Sequence, residues 1–164
     1  SAAAGPDAHM EFAKDESHLF FQIGHRLLIS RILTGQFPNY EAVLPRDNSK
    51  TVALGRAELS DAVRRVSQLA DQRSHAVKLS ISKEGVEISA SSPEYGEAKE
   101  TIEKEYNGDA IAIGFNSSYM LDFLAAAADG PISIELKDEQ SAGQMRPLAD
   151  ENYRYRYVIM PMRI

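Results

Sequence analysis

Glutamates between residues 97 and 105 form the densest group of side chains that could bind a cation or transfer a proton. They are Glu97, Glu100, Glu103 and Glu105. Loops that bind cations place their carboxylates at regular spacing around a glycine turn, and this segment has neither feature. A run of charged residues is more often a solvated face than a binding site. A small acidic hydrolase that uses these carboxylates is therefore the least favoured function.

Histidine is the other residue that could bind a metal, and the chain contains His9, His18, His25 and His75. None of them has metal-ligand spacing to another histidine or to a carboxylate pair on one helix. The sequence also lacks cysteine, a glycine-rich phosphate loop and a nucleophile elbow. We therefore predict no catalytic residue, no metal site and no cofactor.

Composition limits the class of protein further. A chain of 164 residues has room for one ordinary domain and a fragment of another. Its hydrophobic content of 43% and charged content of 26% are typical of globular proteins. The net charge of −6 argues against DNA binding by basic composition alone, although it permits a local basic surface. No apolar run approaches the roughly 20 residues that span a bilayer.

The first part of the chain predicts a small sheet. Residues 1–10 show no periodicity and are either remnants of cloning or a native surface loop. Short apolar runs from Glu11 to Leu33 are separated by Gly24-His25, which predicts strands joined by a tight turn. So small a meander is marginally stable alone. We interpret this segment as the end of a preceding domain.

A helix with one apolar face is the clearest element of the remainder. Its apolar residues recur at helical spacing: Leu59, Val63, Val66 and Ala70. We predict that it ends near Gln72. Arg64 and Arg65 lie on the polar face, where the favoured interpretation is a solvated surface with an Asp61–Arg65 ion pair. A weak contact to phosphate is the alternative.

The period then changes to two. Alternation predicts a hairpin over 77–90, strands over 111–115 and 132–136, and a β-rich run over 155–159. A second helix is predicted after the N-cap Asn116, with Met120, Leu124 and Ala127 inward, ending at Gly130-Pro131. Segment 97–106 favours helix by propensity but lacks an apolar stripe, so local signals leave it open. The repeated order of strand, helix and strands predicts an α+β fold with two helices on one face of antiparallel strands.

The C-terminus is apolar to its last residue, whereas chain ends are more often polar. Pro161 cannot continue a strand ladder, so we expect Met162 and Ile164 to lie beyond the final strand. Flexible methionines beside a proline are typical of a surface that accepts apolar partners.

Three segments carry a family resemblance: GQFPNYEAVLP (35–45), IGFNSSYMLDFL (113–124) and YVIMPMRI (157–164). Together they resemble the β subunit of bacterial DNA polymerase III, the sliding clamp. The resemblance implies a clamp domain of two strand–helix–strand repeats, with helices lining a hole and antiparallel sheets outside. It implies that 38–164 is the third domain and 1–37 the last strands of the second. It also implies that 97–106 is a strand.

The function implied by this resemblance is that of a non-catalytic, cytoplasmic processivity factor. In the family, two full-length chains form a head-to-tail ring that holds duplex DNA topologically and without sequence specificity. Linear peptides of polymerase subunits, the clamp loader and repair factors bind a groove of the ring. The acidic hydrolase is the alternative from another class, and a generic peptide-binding module that never meets DNA is a second alternative.

The same resemblance assigns site residues. It places Gln68 and Leu69 in the dimer interface. The weak contact with DNA is expected at Arg64 and Arg65, the basic pair on the polar face of the first helix. Ala42 stands where many relatives have a basic residue, which alters one polar contact of the groove. The positions that match the peptide groove are Pro38, Val43, Asn116, Tyr119, Val158, Ile159, Met160, Pro161, Met162 and Arg163.

Overall fold

The computed structural model describes residues 9–148 and 154–163, so Ile164 lies outside the described residues. The chain divides into two compact units, residues 1–39 and residues 40–164. Among the described residues, no helix is long and apolar enough to cross a membrane.

The first unit is a three-stranded antiparallel meander of β1 (Met10–Lys14), β2 (His18–Ile23) and β3 (Arg26–Arg31). Gly24 adopts a positive φ of 56° in the tight turn between β2 and β3. The predicted strands and turn are therefore confirmed. Phe12, Phe21 and Leu28 lie opposite one another in the ladder and so share one face. Phe12 is 57% exposed and Leu28 is 64% exposed, so this apolar face is largely uncovered.

The second unit contains two helices and two four-stranded antiparallel sheets. The first repeat comprises β4 (Lys50–Gly55), α1 (Arg56–Ser67), β5 (Ala76–Ser82), β6 (Gly85–Ser92) and β7 (Gly96–Ile102). The second repeat comprises β8 (Ile111–Asn116), α2 (Ser117–Ala126), β9 (Pro131–Leu136), β10 (Gly143–Pro147) and β11 (Tyr157–Ile159). The predicted α+β fold and its internal repeat are confirmed.

The two repeats exchange their first strands. Strand β4 of the first repeat pairs with β9, so one sheet has the order β11-β10-β9-β4. Strand β8 of the second repeat pairs with β5, so the other has the order β7-β6-β5-β8. Each sheet therefore contains strands of both repeats, and neither repeat completes its sheet alone.

Helix α1 buries the predicted face, with Leu59, Val63 and Val66 almost completely excluded from solvent. It ends at Ser67, earlier than the predicted Gln72. The next three amides bond to carbonyls three residues earlier, which tightens the chain and terminates the α-helix. Ala70 remains in the core although it lies beyond the helix.

Helix α2 likewise buries Met120 and Leu124, and Phe123 joins them. It ends at Ala126 rather than at Gly130. The backbone of Ala127 is extended, and the Arg56 guanidinium donates to the carbonyl of Leu124 in the last turn. A side chain of the first repeat thus caps the helix of the second.

Residues 96–102 form the strand β7. The family resemblance implied a strand here, whereas local propensity favoured a helix. Alternation directs Ala98, Glu100 and Ile102 to the better-buried side of the sheet. Gly85, at the turn before β6, has a φ of 131°, and a Cβ there would lie 2.5 Å from the Ile102 carbonyl oxygen. Only glycine fits this turn.

Strand β10 was not predicted, because it has little apolar alternation. Gly143 begins it, where a Cβ would lie 2.9 Å from the Phe115 ring and 3.0 Å from a Leu136 methyl group. Glycine therefore lets the Phe115 ring of one sheet pack directly on the backbone of the other.

The prediction that Met162 has no strand partner is wrong. After β11 the chain crosses from one sheet to the other, and the Met162 N–H donates to the Gly114 carbonyl oxygen at 2.8 Å. Strand β8 is the edge of its sheet, so its outer backbone groups can accept this segment. The C-terminal segment therefore links the two sheets.

We expect Val63→Asp to unfold the second unit. Val63 is completely buried, and burial of an unpaired carboxylate costs several kcal/mol, which is comparable with the stability of a whole domain. Arg64→Ala, the control on the exposed side of the same helix, should change the melting temperature little. Thermal unfolding followed by circular dichroism compares the two, and equal melting temperatures would show that the helix faces are misassigned.

Candidate functional site

The junction of β8 and α2 holds Tyr119 at the surface. Asn116 caps the helix, its Oδ1 accepting from the Ser118 N–H at 2.9 Å and from the Tyr119 N–H at 3.3 Å. Its Nδ2 donates to the Ser74 carbonyl at 3.1 Å, which ties the cap to the first repeat. Tyr119 is 56% exposed, so its ring is available to a ligand.

The C-terminal segment runs antiparallel to the same strand. Because Met162 pairs antiparallel with Gly114, the residues before Met162 run toward the Asn116 end of β8. Met160 is 66% exposed, while Pro161 and Met162 are half-buried. The structure therefore brings Asn116, Tyr119 and the Met160–Met162 segment together in one surface, which we call the apolar wall.

Strand β11 supports this wall from below. Ile159 is only 3% exposed and lies opposite Gly143, so its side chain belongs to the core. Tyr157 packs on Phe123 with ring centroids 5.3 Å apart. Burial, together with the nearby Asp122 carboxylate, raises the pKa of Tyr157 and keeps its hydroxyl neutral. Val158 points to the opposite side and is half-buried.

A polar network lies beside Val158 on the same side of its sheet. Gln144 is paired with Val158 in the β10–β11 ladder, and its Nε2 donates to Glu135 at 2.7 Å. Arg146 Nε donates to the other Glu135 oxygen at 2.6 Å. Burial opposes the ionisation of Glu135, but the bonds from Arg146, Ser133 and Gln144 outweigh it and lower its pKa. The network fixes the sheet surface next to the wall.

A groove of about 810 Å³ continues from the wall along the edge of β8. Its lining includes Lys78, Gly114, Glu139, Pro161, Met162 and Arg163. This volume is within the range of ligand pockets, but the lining mixes charged and apolar groups. Of the predicted groove residues, Pro161, Met162 and Arg163 lie here, and Arg163 is exposed.

Two predicted partner residues lie before β4. Val43 follows a 3-10 turn, Tyr40–Ala42, and its N–H donates to the Tyr40 carbonyl at 3.0 Å. Its side chain is largely exposed. Pro38 is exposed as well, and it belongs to the first unit.

The two predicted DNA-contacting residues are exposed but engaged in ion pairs. The expected Asp61–Arg65 pair is wrong, because Asp61 instead contacts Arg64, at 3.5 Å. Arg65 forms a two-pronged ion pair with Glu100 of β7, with its Nε 2.9 Å from Oε2. This bonding raises the pKa of Arg65 and lowers that of Glu100. Sequence reasoning missed Glu100 as the partner of Arg65, because no local pattern relates a residue of α1 to one of β7.

The predicted interface residues follow α1 directly. Gln68 is its exposed C-cap, and Leu69 is half-buried in the following turn. Helix α1 packs on β7, the edge strand of its sheet. The end of α1 and the outer edge of β7 therefore form one continuous margin of the second unit.

The glutamates between 97 and 105 do not converge on a site. Glu97 pairs with Lys99 at 3.1 Å, and Glu100 pairs with Arg65. Within 9–148 and 154–163, no cluster of three or more histidines and carboxylates could hold a metal ion. His18 contacts Asp15 in a turn of the first unit, and His75 adopts a positive φ of 52° before β5.

Comparison with known proteins gives consistent matches. A family model described as "DNA polymerase III beta subunit, C-terminal domain" matches residues 41–163. The beta sliding clamp of Pseudomonas aeruginosa is 33% identical over 158 residues, covering 96% of this chain and 42% of that protein. That of Vibrio cholerae is 32% identical over 148 residues, covering 90% of this chain and 40% of that protein.

Solved structures agree with the sequence matches. The beta sliding clamp of C. crescentus has a TM-score of 0.84 at 30% identity, covering 94% of this chain and 41% of that chain. A P. aeruginosa sliding clamp has a TM-score of 0.83 at 32% identity, covering 98% and 43%. The chain thus spans about two fifths of the length of the curated relatives it matches.

We expect Asn116→Ala to lower the free energy of unfolding by about 1–2 kcal/mol, because the cap of α2 and the bond to Ser74 are both lost. Ser118→Ala, at the exposed neighbouring position, is the control and should be near neutral. Urea titration measures both variants. Equal stabilities would contradict the role of Asn116 in holding Tyr119.

Proposed function

The chain belongs to the family of bacterial DNA polymerase III beta subunits, the sliding clamps, and we propose that it is part of a clamp that tethers replication proteins to DNA. The family is non-catalytic. We infer that its partners are polymerase subunits, the clamp loader and repair factors, each bound through a linear peptide. A protein with this role would work in the bacterial cytoplasm.

The apolar wall is the observation that carries this proposal. Tyr119 and Met160 are exposed, yet the backbone beneath them is fixed by the Asn116 cap and by the Met162–Gly114 bond. Rigid elements that present large apolar side chains are typical of peptide-binding surfaces. Methionine adapts to differently shaped anchors, so one surface can serve several partners in turn.

We include the remaining family positions in the partner site with different roles. Val43, Val158, Pro161, Met162 and Arg163 would contact the peptide directly. The buried Ile159 would support the strand beneath it. Pro38 is assigned on the resemblance alone.

Contact with DNA is proposed to be weak. Arg64 and Arg65 are exposed on α1, but each is paired with a carboxylate, so contact with phosphate must compete with Asp61 and Glu100. A protein that encloses DNA can rely on a few weak contacts and still slide. Retention by enclosure is therefore compatible with the net charge of −6.

Ring formation in the longer protein is proposed to use the margin of the second unit. Gln68 and Leu69 lie at its helix end, and β7 supplies a strand edge with the acidic residues Glu97 and Glu103 close by. An exposed edge can add a strand from another chain, and its carboxylates favour a basic partner. We propose residues 1–37 as the last strands of a preceding domain that covers the apolar face of Phe12 and Leu28.

We expect Met160→Ala and Tyr119→Ala each to weaken peptide binding by about 1–2 kcal/mol, or roughly 5- to 30-fold. The probe is a labelled extended peptide with a glutamine followed by leucine and aromatic residues, titrated by fluorescence polarisation. Point variants are preferred to removal of the C-terminus, because the Met162–Gly114 link between the sheets then remains.

Tyr95→Ala is the matched control, since Tyr95 is an exposed aromatic residue in the β6–β7 turn, away from the wall. Its affinity should equal that of the parent chain. Unchanged affinity in both wall variants, with folding confirmed, would contradict the proposed site.

We expect this chain to bind linear duplex DNA only weakly and without sequence preference. The affinity should fall as salt rises because the contacts are electrostatic, and the slope should be shallow because few phosphates are contacted. Arg64→Gln combined with Arg65→Gln should weaken it further. Gel-shift titration over a range of salt concentrations measures this, and submicromolar binding at physiological salt would contradict retention by enclosure.

A further inference from the structure

Strand β11 and the residues on either side of it carry a stripe of side chains on their outward side. Tyr155 and Tyr157 both pack on Phe123, each with ring centroids 5.3 Å apart, and Ile159 is in the core. Odd-numbered side chains therefore point inward, and the even-numbered ones point outward. The outward residues are Arg154, Arg156, Val158 and Met160, and we call them the C-terminal stripe.

The two cations of the stripe are unpaired among the described residues. Arg154 and Arg156 are exposed, and neither forms an ion pair within 4 Å with any residue the structure describes. Arg146 lies one position beyond the Met145–Tyr157 pair, but its guanidinium is held by Glu135. The Glu135 carboxylate is therefore paired with Arg146 and does not neutralise Arg154 or Arg156.

We propose that the C-terminal stripe selects partner peptides that carry acidic residues beside their apolar anchors. This inference rests on the proposed function and names the charge of the segment that this site prefers. An extended chain rises about 3.3 Å per residue, so Arg156 and Val158 are about 7 Å apart along the strand. An extended peptide has the same rise, so carboxylates two to four residues from its apolar anchor would face the arginines.

A peptide fits the stripe better than a nucleic acid does. Val158 and Met160 offer apolar contact directly beside the cations, and a phosphate backbone gains nothing from it. Two exposed arginines with carboxylate partners give a modest increase in affinity and determine which peptide is favoured. The alternating sequence RYRYVIM predicts this arrangement, because an extended chain places every second residue on one side.

The test compares peptides that share the glutamine–leucine–aromatic core and differ in a short tail. One tail carries two aspartates, and the matching tail carries two asparagines. Each tail is attached in turn to the N-terminal and to the C-terminal end of the core. At one of the two ends, the aspartate tail should make the peptide bind the parent chain about threefold to tenfold more tightly than the asparagine tail does at low salt. The difference should shrink as salt rises.

The variant Arg154→Gln with Arg156→Gln should remove this difference and leave binding of the core peptide unchanged. Lys83→Gln with Lys104→Gln, at exposed cations near the β5–β6 turn, is the matched control and should keep the difference. Melting temperatures verify folding of all chains. Duplex DNA is titrated in parallel with the same variants.

Equal binding of aspartate and asparagine peptides at both ends, with the core still bound, would overturn this inference and leave the proposed function intact. A preference for aspartate peptides that persists in the variant Arg154→Gln with Arg156→Gln would also overturn it. So would a variant that loses affinity for DNA but not for the aspartate peptide. Failure of every peptide to bind the parent chain would overturn the proposed function and this inference together.

Discussion

The exchange of first strands between the two repeats is the constraint on which the second unit depends. Because β4 pairs with β9 and β8 pairs with β5, every sheet requires both repeats. The same exchange carries β8 to the loop after α1, where Asn116 bonds to Ser74 and the Ser117 N–H donates to the His75 carbonyl. The helix that presents Tyr119 is thus oriented by a loop more than 40 residues away in sequence.

A second link joins the two sheets at the same edge strand, β8. The C-terminal segment leaves β11 in one sheet and bonds to β8 in the other, while Gly143 lets Phe115 pack between them. The C-terminal residues that match the family's peptide groove therefore also hold the two sheets together. This dual role explains why apolar side chains such as Met160 can be exposed on a firm backbone, whereas a frayed terminus would lose ordering entropy on binding.

Internal ion pairs occupy many of the cations of the second unit. Arg56 bonds to Asp129, Arg65 to Glu100 and Arg146 to Glu135, and each pair joins separate elements of the fold. Exposed ion pairs contribute little to the free energy of unfolding, but they hold arginine side chains that could otherwise bind phosphate. In an acidic chain, the position of the remaining arginines matters more than their number, and Arg154 and Arg156 are exposed in the segment that leads into the last strand.

The sequence alone determined the faces of both helices, the 77–90 hairpin, the Asn116 cap and the internal repeat, because these depend on contacts between residues close in the chain. Its motifs also identified the family. The end of α2, the strand at 96–102 and β10 required tertiary contacts. These are a side-chain cap from Arg56, pairing with β6, and the space that Gly143 leaves for Phe115. The Arg65–Glu100 pair and the bond of Met162 to Gly114 join residues 35 and 48 positions apart. No local pattern encodes such pairs, because only the folded arrangement of the sheets brings their atoms within bonding distance.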